Sequence, residues 1–137
     1  MTVDPARSAQ MALVRSKNTR PEMIVRRIIH AMGYRYRLHR TDLPGKPDIV
    51  LPSHRKIVEV RGCFWHQHPD ESCGRARVPK TRKDFWIPKL QGNRARDLAN
   101  DEALRELGWN IVVVWECETT PAGRVELTAK LQAFLTE

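Results

Sequence analysis

Pro47-Asp48-Ile49-Val50-Leu51-Pro52-Ser53-His54-Arg55-Lys56-Ile57-Val58-Glu59-Val60-Arg61 is the stretch that decides the fold. Two runs rich in β-branched residues, Asp48 to Leu51 and Lys56 to Val60, flank Ser53-His54-Arg55, which turns the chain back; the pair reads as a β-hairpin. Upstream, Leu43-Pro44-Gly45-Lys46-Pro47 is a turn, and Tyr34 to His39 alternates aromatic or apolar with basic residues, the pattern of a half-buried strand. Before it, Thr19-Arg20-Pro21-Glu22 opens a helix with a Thr cap, a Pro in the first turn and Glu at the capping-box position. Val25, Ile28, Ile29 and Met32 give that helix one buried stripe, and Gly33 stops it. Downstream, Gly62 to Lys80 has no periodicity, and a loop this long in a small domain is functional or cross-linked. Thr81 to Leu107 is helical in pattern, with expected breaks near Pro88 and Gly92 and with Leu98, Leu104 and Leu107 directed to the core. Trp109 to Trp115 holds the apolar run Ile111-Val112-Val113-Val114, suited to a strand covered on both faces. Pro121 to Leu135 closes with an amphipathic helix carrying Val125, Leu131, Phe134 and Leu135. The sum is an α/β fold, a mixed central β-sheet flanked by α-helices.

The 137 residues make a single domain, and 41% hydrophobic with 29% charged residues are globular proportions. No apolar run approaches the roughly 20 residues needed to span a bilayer, and Met1 to Gln10 is not a secretory signal, so a cytoplasmic protein is expected. Twenty-four Lys and Arg against 16 Asp and Glu leave a formal charge of +8. That excess favours a polyanionic partner, nucleic acid before membrane. Three cysteines are an odd number for a disulfide framework; they are free thiols or metal ligands.

Cys63, His68, Cys73 and Cys117 together make the three-cysteine, one-histidine donor set of structural zinc. Cys117 follows the Trp109–Trp115 strand, so a metal there would pin the long loop to the sheet. The competing reading is a group of buried reduced thiols with His68 incidental. His66, two residues before His68, reads on its own as a surface histidine.

Pro47-Asp48, ten intervening residues, then Glu59-Val60-Arg61 resembles the PD-(D/E)xK nuclease signature, with arginine in the lysine slot. Magnesium-assisted phosphodiester hydrolysis needs hard oxygen ligands held close together, and adjacent strands deliver Asp48, Glu59 and a backbone carbonyl to one edge. Arg61 projects to the face of Glu59, where its fork of donors suits phosphate. The bland alternative is a turn aspartate and a surface Glu59–Arg61 pair.

Taken together, the motifs resemble the very-short-patch-repair (Vsr-type) DNA mismatch endonucleases over most of the chain. They run in order as Arg15 to Glu22, Leu43 to Asp48, Gly62-Cys63-Phe64-Trp65-His66, Pro79-Lys80-Thr81-Arg82, Asp84-Phe85-Trp86, and Leu107-Gly108-Trp109 leading to Val114-Trp115-Glu116-Cys117. The resemblance implies a restriction-endonuclease-like fold and nicking of duplex DNA on the 5′ side of the thymine in a T:G mismatch, the lesion left by 5-methylcytosine deamination. It implies Asp48 as a magnesium ligand with the Val60 carbonyl, and His66 and Glu22 at the water and scissile phosphate. It makes Cys63, His68, Cys73 and Cys117 a structural zinc set and Phe64, Trp65 and Trp86 wedges into the duplex beside the mismatch. A monomer is expected, with residues 1–18 as a basic segment on DNA and repair factors of the mismatch pathway as further partners. The family commonly carries an apolar residue at the position of Glu59 and histidine at that of Arg61, and some members have threonine at that of Val60. These departures restore the broader nuclease signature, with Glu59 as a second magnesium carboxylate and Arg61 on phosphate.

Overall fold

The computed structural model describes residues 18–137. Among the described residues, three α-helices and four strands follow one another as α1 (Arg20–Ala31), β1 (Arg37–Leu38), β2 (Ile49–Leu51), β3 (Lys56–Arg61), α2 (Lys83–Glu106), β4 (Asn110–Trp115) and α3 (Arg124–Thr136). The strands form one mixed sheet in the order β1-β2-β3-β4: the first three are antiparallel, and β4 joins β3 in parallel after the crossover through α2. The expected hairpin is therefore present, closed by a short 3-10 turn at Pro52–His54.

Strand alternation divides the core in two. Ile49, Leu51, Val58 and Val114 face Val25 and Ile29 of α1 and Leu127, Leu131 and Leu135 of α3. Val50 and Ile57 point the other way, against Leu104 of α2 and Trp109. The sheet is thus covered on both faces, and the mixed α/β architecture stands as expected.

Several details depart from the periodicity. Only Arg37 and Leu38 of the Tyr34–His39 run pair as a strand, because β2 is three residues long and the backbone turns left-handed at His39 (φ +47°). Helix α2 runs unbroken through Pro88 and Gly92. Pro88 lies in the second turn, where the carbonyl of exposed Asp84 loses its helical donor but meets water. Leu98 and Leu107 are 60% and 52% exposed, and only Leu104 of the three leucines is buried. The inward positions of α2 are Leu90, Asp97, Asp101 and Leu104, spaced seven, four and three apart along one face. Two of the four are aspartates, which hides the stripe from a hydrophobic reading. In α3 the buried residues are Leu127, Leu131 and Leu135, while Val125 is 82% exposed. Strand β4 has Val114 fully buried and Ile111 to Val113 half-buried, as suits the edge of the sheet.

Two glycines fix the approach to the hairpin. Gly33 ends α1 at φ +89°. Gly45 (φ +74°) lets the Leu43–Pro47 turn press onto α2, where a Cβ would lie 2.9 Å from the Asn100 side chain.

Candidate active site

The hairpin register pairs Ile49 with Val58, and one further antiparallel step sets Asp48 opposite Glu59 at the open end of the strands. Asp48 Oδ2 accepts the Val60 N–H at 2.9 Å. Alternation along β3 puts Glu59 and Arg61 on the face of Ile57, towards α2. Thr19 caps α1 as expected, its hydroxyl oxygen accepting the Glu22 N–H at 3.3 Å. Only half of the capping box forms, because the Glu22 carboxylate turns away to meet Arg26 and the Nε2 of His39, the latter at 2.9 and 3.0 Å. Arg26 Nη2 also donates to Asn18 Oδ1 at 2.6 Å. These partners explain how Glu22 is tolerated buried at the helix start.

Burial pushes the Asp48 carboxyl up to about 6; the Val60 N–H draws it down, nearby Glu22 raises it, and His39 and His66 lower it. Glu59 is pushed up to about 8, first by burial and then by repulsion from Asp48, with Arg61 opposing and Asp101 and Asp97 adding to the rise. A chain of charge +8 thus gathers five carboxylates, Glu22, Asp48, Glu59, Asp97 and Asp101, in one electrostatic neighbourhood. Such a cluster favours a bound cation, which would relieve the repulsion and restore the ionised forms. Oxygen donors from Glu22 and Asp48 and a ring nitrogen of His39 lie within 4.8 Å of one another, a donor set that fits a divalent ion.

The two aspartates of α2 each hold a residue that the sequence marks as functional. Asp97 Oδ2 lies 2.6 Å from His66 Nδ1, which fixes the proton on that nitrogen and turns Nε2 outward. Asp101 accepts Arg61 Nη2 with both oxygens, at 2.7 and 2.9 Å, in a buried pair. Arg61 Nη2 is thus held to α2, whereas the expectation placed the guanidinium on phosphate, and its charge also acts on Glu59. The pairing also differs from the surface Glu59–Arg61 alternative, since the partner is Asp101 and the site is buried.

A tight turn after β3 separates His66 from His68. His66 N–H donates to the Gly62 carbonyl at 3.1 Å and His68 N–H to that of Cys63 at 2.9 Å, with Gln67 left-handed between them. His66 therefore faces α2, whereas His68 joins Cys63, Cys73 and Cys117, whose donor atoms all lie within 4.8 Å of one another. Cys117 Sγ is 3.6 Å from His68 Nδ1. Zn–S and Zn–N bonds at the tetrahedral angle require an S···N edge of about 3.6 Å, so the set fits zinc. Burial pushes the Cys63 thiol up to about 12 in the protein without an ion; a cation would invert that preference. The His68 ring stacks on Trp115 at 4.4 Å, which orients it.

Phe64, Trp65 and Trp86 meet edge-on or tilted, with centroids 5.0 to 5.9 Å apart. None belongs to either core cluster. Phe85 extends the group, exposed, touching Trp86 and flanked by Arg82 and Lys89. Cationic groups around partly exposed rings suit a nucleic-acid surface.

Sequence reasoning missed His39, Arg26, Asp97, Asp101 and Phe85. The signal for the aspartates was their spacing of four residues on a helix; for His39, only its place just before the Leu43–Asp48 motif. The expected DNA-contacting segment, residues 1–18, lies outside the described residues apart from Asn18.

Comparison with known proteins matches residues 2–73 to the family described as DNA mismatch endonuclease Vsr. The chain belongs to this family. It is 53% identical over 125 residues to the Type II nicking enzyme V.XorIIP of Xanthomonas oryzae pv. oryzae, covering 91% of this chain and 88% of that protein. The DNA mismatch endonuclease Vsr of Escherichia coli is 36% identical over 122 residues, 89% of this chain and 75% of its own length. The Type II nicking enzyme V.NmeAIP of Neisseria meningitidis is 42% identical over 112 residues, 82% of this chain and 78% of its own. The Vsr match spans Glu22, His39, Asp48, Glu59, Arg61, His66, His68 and two of the three cysteines.

Proposed function

We propose that this Vsr-family protein is a magnesium-dependent, strand-specific endonuclease that nicks duplex DNA 5′ of the thymine in a T:G mismatch. The observation that carries the reading is the convergence of Asp48, Glu22 and the His66–Asp97 pair at the open end of the hairpin. Asp48 and Glu22 supply oxygens for the cation, joined by Glu59 and the Val60 carbonyl from β3. Bound there, magnesium would polarise a phosphoryl oxygen and stabilise the charge that develops on phosphorus. His66 Nε2, with Nδ1 held by Asp97, accepts the proton of the attacking water; the water oxygen bonds to phosphorus as one P–O bond breaks, and the leaving oxygen takes up a proton. Arg61 acts through Glu59, keeping a compensating positive charge beside it rather than gripping phosphate.

Phe64, Trp65 and Trp86 supply the lesion test. Apolar wedges unstack a base step at a cost of a few kcal/mol, and a T:G wobble pair resists less than its Watson–Crick neighbours. The surplus of basic residues neutralises backbone phosphate and supplies most of the affinity. Cys63, His68, Cys73 and Cys117 hold a structural zinc that braces the loop bearing His66 and the wedges. The protein acts as a monomer in this reading. Cleavage of labelled duplexes carrying T:G, A:T or G:C at one position tests it: magnesium-dependent nicking of the thymine strand of T:G is expected, and equal rates on matched duplex would contradict it. Trp65→Ala should narrow the T:G preference by about tenfold.

A further inference from the structure

The sequence-based site leaves out His39, yet this residue occupies the centre of the Glu22–Asp48 edge. Its Nε2 stands 2.9 and 3.0 Å from the two Glu22 oxygens and 3.5 Å from Arg26 Nη2. Its backbone N–H donates to the Asp48 carbonyl at 3.0 Å, so the two residues are locked to each other across the β1–β2 edge. The left-handed backbone of His39 (φ +47°) ends β1, and a ring nitrogen lies within 4.8 Å of an Asp48 oxygen. For a residue with a Cβ that conformation is uncommon, and it persists where surrounding structure enforces it, often at ligand clamps.

A simple ion pair does not account for this arrangement. Arg26 already provides Glu22 with a buried counter-charge, itself braced by Asn18. The imidazole is in addition to that pair, and half-exposed where Glu22 is buried. Asp48 Oδ2 is taken by the Val60 N–H, while Oδ1 accepts no hydrogen bond among the described residues. One ring nitrogen and two carboxylates are then left facing a common point, with donor atoms within 4.8 Å.

We propose that His39 is a direct nitrogen ligand of the divalent-cation site, which makes the site a mixed nitrogen–oxygen one that discriminates among cations. The inference rests on the cation reading of this edge. Magnesium keeps oxygen ligands and several waters, whereas imidazole favours transition-metal ions. The site therefore gains affinity for Mn2+ from His39 and gains little for Mg2+.

The test uses the zinc-loaded full chain without DNA and Mn2+ as the probe. Free Mn2+ is counted by electron paramagnetic resonance, bound Mn2+ is examined for nitrogen coupling by pulsed methods, and Mg2+ is measured by displacement. Wild type should show saturable Mn2+ binding with a nitrogen coupling. His39→Gln should lose the coupling and at least about tenfold in Mn2+ affinity, with Mg2+ affinity changing less than about threefold. His39→Asp, which exchanges nitrogen for oxygen, should keep both ions without the coupling and guards against a folding artefact in the first variant. Asp48→Asn should weaken both ions severely. A wild-type Mn2+ site that depends on Asp48 but lacks nitrogen coupling overturns the His39 assignment alone, as does a coupling that survives in His39→Gln or an equal loss of both ions. Mn2+ binding indifferent to Asp48, or none, overturns the cation reading as well.

Discussion

Two regions of this small protein gather metal-binding side chains, and they do so in opposite ways. In the loop after β3, Cys63, His68, Cys73 and Cys117 form a closed set of four soft donors, with a sulfur–nitrogen edge of 3.6 Å that matches tetrahedral zinc. At the open end of the hairpin, Glu22, His39 and Asp48 form a set rich in hard oxygen donors, with Glu59 in the electrostatic neighbourhood and the guanidiniums of Arg26 and Arg61 close by. The first set is saturated and joins loop to sheet. The second resists full ionisation: burial first, then repulsion from neighbouring carboxylates, pushes Asp48 up to about 6 and Glu59 up to about 8. A saturated site stabilises structure, whereas a site with spare positions and stored repulsion is suited to an exchangeable cation and a reacting phosphate.

The contrast breaks most readily at the cysteines. Structural zinc contributes roughly 10–16 kcal/mol of apparent binding energy in small peptides. Cys117→Ser or chelation of zinc should therefore unfold residues 62–80 and expose them to protease, while removal of magnesium leaves the proteolysis pattern unchanged. If stripping zinc leaves melting and proteolysis as they were, the four donors are incidental.

A smaller effect separates charge used for folding from charge used for chemistry. Arg61 and Asp101 are a buried pair, so removing one partner strands the other. Arg61→Ala should cost about 3 kcal/mol in urea unfolding, and Arg61→Met combined with Asp101→Leu should recover most of it. Additive losses in the double variant would place Arg61 elsewhere, free to meet phosphate.

The smallest effect lies in the pH dependence of the cation set itself. Asp48 and Glu59 titrate higher in the folded chain than in the unfolded one, so the folded state retains protons longer. Their stabilisation is complete below about pH 4 and is lost as pH rises through about 6 and then about 8. Zinc-loaded protein without magnesium should thus lose stability over that range. Magnesium should restore it at pH 8, and Glu59→Gln should flatten the upper limb. Thermal melts across pH with identical profiles for wild type and Glu59→Gln would remove Glu59 from the cluster.

How far the sequence could be read follows the same division. The hairpin, the helix capped by Thr19 and the four zinc-type donors were legible because each rests on local pattern: alternation, a capping residue, donor chemistry. Helix α2 was misread because its inward stripe carries half-buried Asp97 and buried Asp101, whose placement makes sense only with His66 and Arg61 folded against them. Those partners lie 31 and 40 residues away in the chain, beyond any periodicity. His39 was missed because its role depends on partners from other elements, Glu22 of α1 and Asp48 before β2. Charge pairs between distant elements are set by packing, and hydrophobic spacing does not record them.

The most direct test of the account is the nicking rate of zinc-loaded wild type and Asp48→Ala on a T:G duplex as magnesium is raised, with duplex affinity measured in parallel. The account predicts a fall of at least about a thousandfold in nicking for Asp48→Ala at every magnesium concentration, with affinity within about threefold because backbone contacts are retained. Near wild-type nicking with the same magnesium dependence would show that the acidic edge is not where the chemistry occurs.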